Sequence, residues 1–291
     1  MQTFETPEPI SVSLELGVGD IEVVASDRVD TVVDVRPSDP ANRSDVSAAR
    51  QTRVDLANGT LVVKAMKGWR RWTLGPGRES IDVRIELPSG STVRAAVGAG
   101  GMRCRGRIGG CHVRTGVGDI TLDRTGPVEL KAGAGEVAVD AIAGTAKIKT
   151  AGAVRIGTID GSAVIRNANG DTWIGEITGD ARVTAANGAI SVDLAHSGVA
   201  AKTANGDIRI DEVTRGAVVA QSAFGAVEVG VADGVPAWLD LETGFGHVTN
   251  ELDDAERPGP GDDAVEVRAH TAMGDITIHR SSASRTHEGE R

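Results

Sequence analysis

The sequence predicts an all-β protein: a parallel two-sheet β-solenoid of about 18 residues per coil, entered through an N-terminal antiparallel β region. Three observations carry that expectation. A glycine-centred unit recurs at Gly100, Gly118, Gly135, Gly152, Gly170, Gly188, Gly206, Gly225, Gly246 and Gly274, in steps of 18, 17, 17, 18, 18, 18, 19, 21 and 28. Core candidates, aliphatic in most copies, follow each glycine two and four positions later, as in Ile120 and Leu122 or Ile208 and Ile210. Such alternation places both on one face of a strand. Finally, 38 Gly accompany only 3 Phe, 4 Trp and no Tyr, so the core must be thin and built of small aliphatics.

Residues 1–97 read as irregular antiparallel β that caps the solenoid. Ile10–Leu16 alternates as a half-buried strand should, and Gly17–Val23 is an early copy of the repeat. Thr31–Val35 is a third strand, and Ser44–Ser47 starts a short helical turn within the polar stretch 37–51. Val54–Val63 is the clearest hairpin, with Asn58-Gly59 at its turn. Ile81–Leu87 alternates again and is closed by Pro88-Ser89-Gly90.

Residues 98–280 form the solenoid proper. A second alternating strand precedes each corner glycine, with Val113, Leu130, Ile148, Ile165, Val183 and Ala201 inward. Nearer the corner runs a small polar row: Thr115, Thr150, Asn167, Thr203, Ser222, Thr243 and Thr271. Two short strands per coil then stack about 4.8 Å from their equivalents above and below. The long late steps mark insertions, chiefly the acidic Pro/Gly loop from Asp253 to Asp263. The polar tail 281–291 has no periodicity and reads as disordered.

The units Gly116-Val117-Gly118-Asp119-Ile120-Thr121-Leu122, Asn187-Gly188-Ala189-Ile190-Ser191-Val192 and Asn205-Gly206-Asp207-Ile208-Arg209-Ile210 resemble a bacterial family of β-strand repeats described as candidate adhesins, a domain of unknown function. The resemblance runs from about Ile10 to Ile278. It implies a parallel β-solenoid and an adhesin-like binding role, and it brings no catalytic residues with it.

A net charge of −10 gives no general attraction to nucleic acid, and none is expected as a partner. Two cysteines, Cys104 and Cys111, are too few for a disulfide framework or a paired-ligand zinc site. They read as a buried pair of free thiols in a reducing compartment. No basic n-region precedes an apolar run near Met1, and no apolar stretch is long enough to span a bilayer, so a soluble cytoplasmic protein is expected. The six histidines lack metal-ligand spacing, and neither metal nor cofactor is expected.

The acids after the corner glycines (Asp20, Asp119, Glu136, Asp171, Asp207, Asp275) could in principle stack around Ca²⁺. Ala189 and Ala226 interrupt the row, and a short acid at a corner accepts backbone N–H groups, so its role reads as structural. Asn169, Asn187 and Asn205 read as an amide ladder. Two features remain for function. One is an outward basic stripe of Arg114, Lys131, Lys149, Arg166 and Lys202, suited to an acidic surface or another protein. The other is the loop 67–79, where Trp69, Arg70, Arg71 and Trp72 could contact a membrane surface, form a binding hot spot or plug the end of the solenoid. Trp173 and Trp238 have outward parity and are expected to be covered by a loop or a second subunit, so an oligomer is compatible with the pattern. The reading is a non-catalytic binding or scaffold module. A carbohydrate-active β-helix enzyme and an adhesin exported without a signal peptide are the alternatives.

Overall fold

The computed structural model describes residues 1–65, 79–252 and 264–281. The Trp/Arg loop, the acidic insertion and the C-terminal tail lie outside the described residues, apart from Glu79 and Ser281. The chain divides into two compact units, one ending at Ala153 and the other starting at Val154. Each is built of two sheets with parallel coils.

In the first unit one sheet runs in the order Gln2–Glu5, Asp30–Pro37, Ile81–Pro88, Ile21–Ser26, Met102–Ile108, Ile120–Thr125, Val137–Ala143. The other runs Arg53–Ala57, Thr60–Lys64, Ser11–Val18, Thr92–Ala99, Cys111–Val117, Val128–Ala134, Ala146–Thr150. The expected antiparallel region is therefore narrower than residues 1–97. Among the described residues, antiparallel pairing is confined to Gln2–Glu5 on Asp30–Pro37, Asp30–Pro37 on Ile81–Pro88, and the 53–64 hairpin. The strands 11–18, 21–26 and 92–99 already pair in parallel as coils. Asn58 and Gly59 take positive φ at the hairpin turn, as Asn-Gly favours.

Coils do not stack in chain order here. The coil formed by 11–18 and 21–26 lies between the coil 60–64/81–88, which comes later in the chain, and the coil 92–99/102–108. The outer coil is then sealed by the antiparallel strands and by one helix, Arg43–Gln51, longer than the single turn expected. Asn42 caps it by accepting from Ser44 N at 2.9 Å. The buried Asp45 carboxylate accepts from Asp39 N, Asn42 Nδ2 and Ser80 N, tying the helix to the outer coil.

In the second unit the sheets run Val154–Asp160, Thr172–Ile177, Ile190–Ala195, Ile208–Val213, Val227–Val231, Ile276–Arg280, Val248–Asn250 and Ala163–Asn169, Ala181–Asn187, Val199–Asn205, Gly216–Phe224, Val265–Met273, Ala237–Phe245. Chain order breaks again at the end. The last coil in sequence, 265–280, is threaded between 216–231 and 237–250. The step of 28 thus carries the chain outward and back, so the final coil is paired on both sides.

The predicted core rows are buried in register. Val113 stacks on Leu130 and Leu130 on Ile148; Ile165 stacks on Val183 and Val183 on Ala201. The corner explains the glycine period. Gly118 has φ of +139°, and a Cβ there would sit 2.1 Å from the Gly100 carbonyl oxygen. Only glycine satisfies both the backbone and the spacing. The small polar row latches that corner: the hydroxyls of Thr115, Thr150, Thr203, Ser222 and Thr271 donate to the carbonyls of Gly100, Gly135, Gly188, Gly206 and Gly225. Those carbonyls are thereby satisfied without water.

The acids after the corner glycines do have a structural role, but between coils rather than within one turn. Asp20, Asp119, Asp171, Asp207 and Asp275 accept from the backbone N–H of Gly101, Glu136, Ala189, Ala226 and His247 on the next coil. In the second unit Asp and non-acidic residues alternate along this row, which keeps carboxylates from stacking on each other. The asparagine ladder is present as well, with Asn187 donating to Asn169 at 3.0 Å and Asn205 to Asn187 at 2.9 Å.

Candidate basic face of the first unit

Strand alternation turns Arg114, Lys131 and Lys149 outward, and parallel register sets them on adjacent strands: Arg114 opposite Lys131, and Lys131 opposite Lys149. A neighbouring row holds Arg94, His112, Glu129 and Lys147 in the same register. Glu129 is the one carboxylate in these two rows between strands 92 and 150. Lys131 Nζ lies 2.5 Å and His112 Nδ1 3.3 Å from it. Its hydrogen bond from Lys131, with the nearby charges of His112, Lys131 and Arg114, holds its carboxyl below the usual glutamate range. Arg94, Arg114, Lys147 and Lys149 make no ion pair among the described residues. Repulsion between stacked cations is thus only partly offset, and the face carries a positive surplus on a chain that is acidic overall. A shallow cleft of about 620 Å³ runs beside the Arg94–Lys147 row and includes Ser11, Ser13 and Thr92.

The second unit continues the pattern only in part. Arg166 is separated from Lys202 by Thr184, and Gln221 follows Lys202. Within the second unit, therefore, no two cations of this row are adjacent. Trp69, Arg70, Arg71 and Trp72 lie outside the described residues.

A second group of outward cations lies on the other sheet, outside the predicted stripe. Arg103, Arg105 and Arg107 all leave the strand Met102–Ile108 outward, helped by a bulge at Gly106 with φ of +83°. Their signal is in the sequence, as alternating arginines between Met102, Cys104 and Ile108. Arg105 is neutralised by Glu22 at 3.1 Å, and Glu22 also binds Arg84. This side is a mixed ion-pair network, whereas the Arg114 side is not.

Trp173 is half-buried within its own unit. Its ring lies against Gly175 of its own strand, with the Arg155 guanidinium 5.5 Å from the ring centroid and its indole N–H donated to Asp193 at 2.9 Å. Glycine at 175 leaves the space the ring needs. Burial raises the Asp193 carboxyl above its ordinary value, the indole hydrogen bond opposes this, and neighbouring Asp211 adds to it. Trp238 is 51% exposed. The cysteines are free and buried, and the hydrogen bond to Cys111, together with burial, pushes the Cys104 thiol well up. Among the described residues no group of three or more His, Cys, Asp or Glu is placed to hold a metal ion. No described helix is long and apolar enough to cross a membrane.

Residues 11–279 match the sequence profile of the Toastrack DUF4097 family. The chain belongs to that family. The match covers both units and the coils at both ends, so the interleaved first and last coils fall inside the Toastrack domain. Among solved structures the chain is similar to a candidate adhesin of Bacteroides fragilis NCTC 9343 (11% identity, 95% of each chain, TM-score 0.38). It is also similar to a candidate adhesin of Parabacteroides merdae ATCC 43184 (13% identity, 95% of this chain and 94% of the other, TM-score 0.37). A candidate lipid-binding protein of Parabacteroides distasonis ATCC 8503 is a third such structure (13% identity, 95% of each chain, TM-score 0.30). No curated protein matches this sequence.

Proposed function

We propose that this Toastrack chain is a non-catalytic binding module whose first unit docks an acidic surface on its basic outer sheet. The observation that supports the reading most is the in-register run of Arg114, Lys131 and Lys149, of which only Lys131 has an ion-pair partner among the described residues. A flat sheet with charges spaced by the strand repeat suits an extended anionic surface better than a small molecule. Arg166 and Lys202 play a minor part.

Binding of the full chain to vesicles containing anionic lipid, and to heparin as a soluble polyanion, separates a membrane from a free polymer. The triple variant Arg114→Ala/Lys131→Ala/Lys149→Ala is expected to lose about tenfold or more in affinity for whichever binds, and wild-type binding is expected to weaken with salt. Unchanged binding by the triple variant overturns the assignment. Trp69→Ala/Trp72→Ala in the same vesicle-binding assay tests whether the 67–79 loop contributes a membrane contact, and unchanged binding removes it.

The carbohydrate-active alternative has one observation in its favour: the raised Asp193 carboxyl beside Asp211 and Trp173. It calls for saccharide hydrolysis that Asp193→Asn abolishes.

A further inference from the structure

The outer coil of the second unit, Ala237–Phe245 with Val248–Asn250, lies at the edge of both sheets. Its inward residues continue core rows. Leu239 is in register with Val267, which pairs in turn with Val218; Leu241 follows Ala269 and Ala220; Val248 follows Ile276 and Val227. Those predecessors are all at most 2% exposed, yet Leu239 and Leu241 are half-buried and Val248 is 45% exposed. Nothing among the described residues stacks on this coil. The nine-residue edge strand therefore offers unpaired backbone donors and acceptors beside an opened core, the template to which a further strand adds.

Apolar side chains flank that edge. At the corner position where earlier coils carry Asn169, Asn187 and Asn205, the last three carry Phe224, Met273 and Phe245 in register. Each is about half exposed or more, Phe245 at 74%. The other end of the edge strand carries Trp238.

The charge around the edge selects the occupant. Asp240 and Glu242 project from the edge strand, and Asp233 and Glu251 flank it; all four are exposed. Only Glu242 has a partner among the described residues, His270 at 3.5 Å. A second copy adding antiparallel across this edge would bring Asp240 towards Glu242 of its mate, which like-charge pairing disfavours. A cationic strand would meet carboxylates instead.

We propose that this edge accepts an extended cationic peptide segment, alternating basic and apolar residues, as an added strand whose apolar side chains cover Leu239, Leu241 and Val248. The site lies in the second unit and does not rest on the basic-face reading of the first.

The test uses the full chain and three labelled peptides of about strand length: alternating Lys and Val, alternating Glu and Val, and alternating Lys and Pro. The Lys/Val peptide is expected to bind. The Glu/Val peptide should fail on charge, and the Lys/Pro peptide should fail because proline cannot donate to the ladder. Asp240→Lys/Glu242→Lys, both exposed and so compatible with folding, should weaken Lys/Val binding about tenfold and admit the Glu/Val peptide. The basic-face triple variant should bind Lys/Val as the wild type does, which keeps failure of either proposal distinct from failure of the other. Equal binding of Lys/Val and Lys/Pro, or no effect of the charge reversal, overturns the inference. So does a concentration-dependent dimer that the charge reversal dissolves, since the edge would then belong to a second copy.

Discussion

The two outer coils show what it takes to finish a β-solenoid. At the N-terminal end of the first unit, the coil 60–64/81–88 keeps Leu61, Val63 and Ile85 at 0% exposure, because antiparallel strands and a capped helix close over it. At the C-terminal end of the second unit, the coil 237–250 occupies the corresponding outermost position with its aliphatics open. Both ends use the same trick of threading, in which the terminal coil of the chain is held between two others. What differs is the cover. A coil is as buried as its neighbours make it, so identical pattern residues have unequal energetic weight at the two ends.

Substitutions that read this difference have the largest expected effects. Ile85→Ala should destabilise by about 2–4 kcal/mol, the range for emptying a fully packed site, and Leu241→Ala by roughly a quarter of that. Denaturant midpoints measure both, and equal losses would erase the contrast. Asp45→Ala leaves three donors on the sealed end without their acceptor and should cost about 2 kcal/mol, read as a lower melting temperature and early loss of helical signal. Within the second unit, Asn187→Ala breaks two amide contacts of the exposed ladder and should cost about 0.5–1 kcal/mol. Phe224→Asn, on the same corner row toward the open end, should be near neutral because most of its ring already meets water.

The smallest effect is a pH dependence. Arg28 binds Asp30 at 2.8 Å and Glu86 at 2.5 Å on the sealed end, and these hydrogen bonds hold both carboxyls below their ordinary values. Folded values below the unfolded ones give stability that is present above about pH 4–5 and is lost as pH falls through the lowered values. Both carboxylates are more than a third exposed, so the contribution is modest. Arg28→Ala should flatten the loss between pH 5 and pH 3, and an unchanged slope would remove this pair from the account.

Much of this was legible in the sequence, for a reason visible at the corners. A coil repeats its constraints, so Gly118 and its equivalents, the aliphatic rows and the Asn169–Asn205 ladder each announce themselves several times. The threading of 11–26 and 265–280 was not legible, because periodicity counts coils without ordering them. The parallel pairing of strands 11–18 and 92–99 was missed for a related reason: their partners are far apart in the chain, and alternation alone does not distinguish parallel from antiparallel. The basic stripe was visible, but its unequal strength was not. Lys131 has Glu129 beside it and Thr184 stands between Arg166 and Lys202, and register alone reveals both.

Native-state hydrogen exchange on the full chain tests the central contrast most directly, since protection follows local opening. The account predicts strong protection for strands 60–64, 81–88 and 265–273, with fast exchange in 237–245. Equal protection of 81–88 and 237–245 would contradict it, because the C-terminal coil would then be as thoroughly covered as the sealed one.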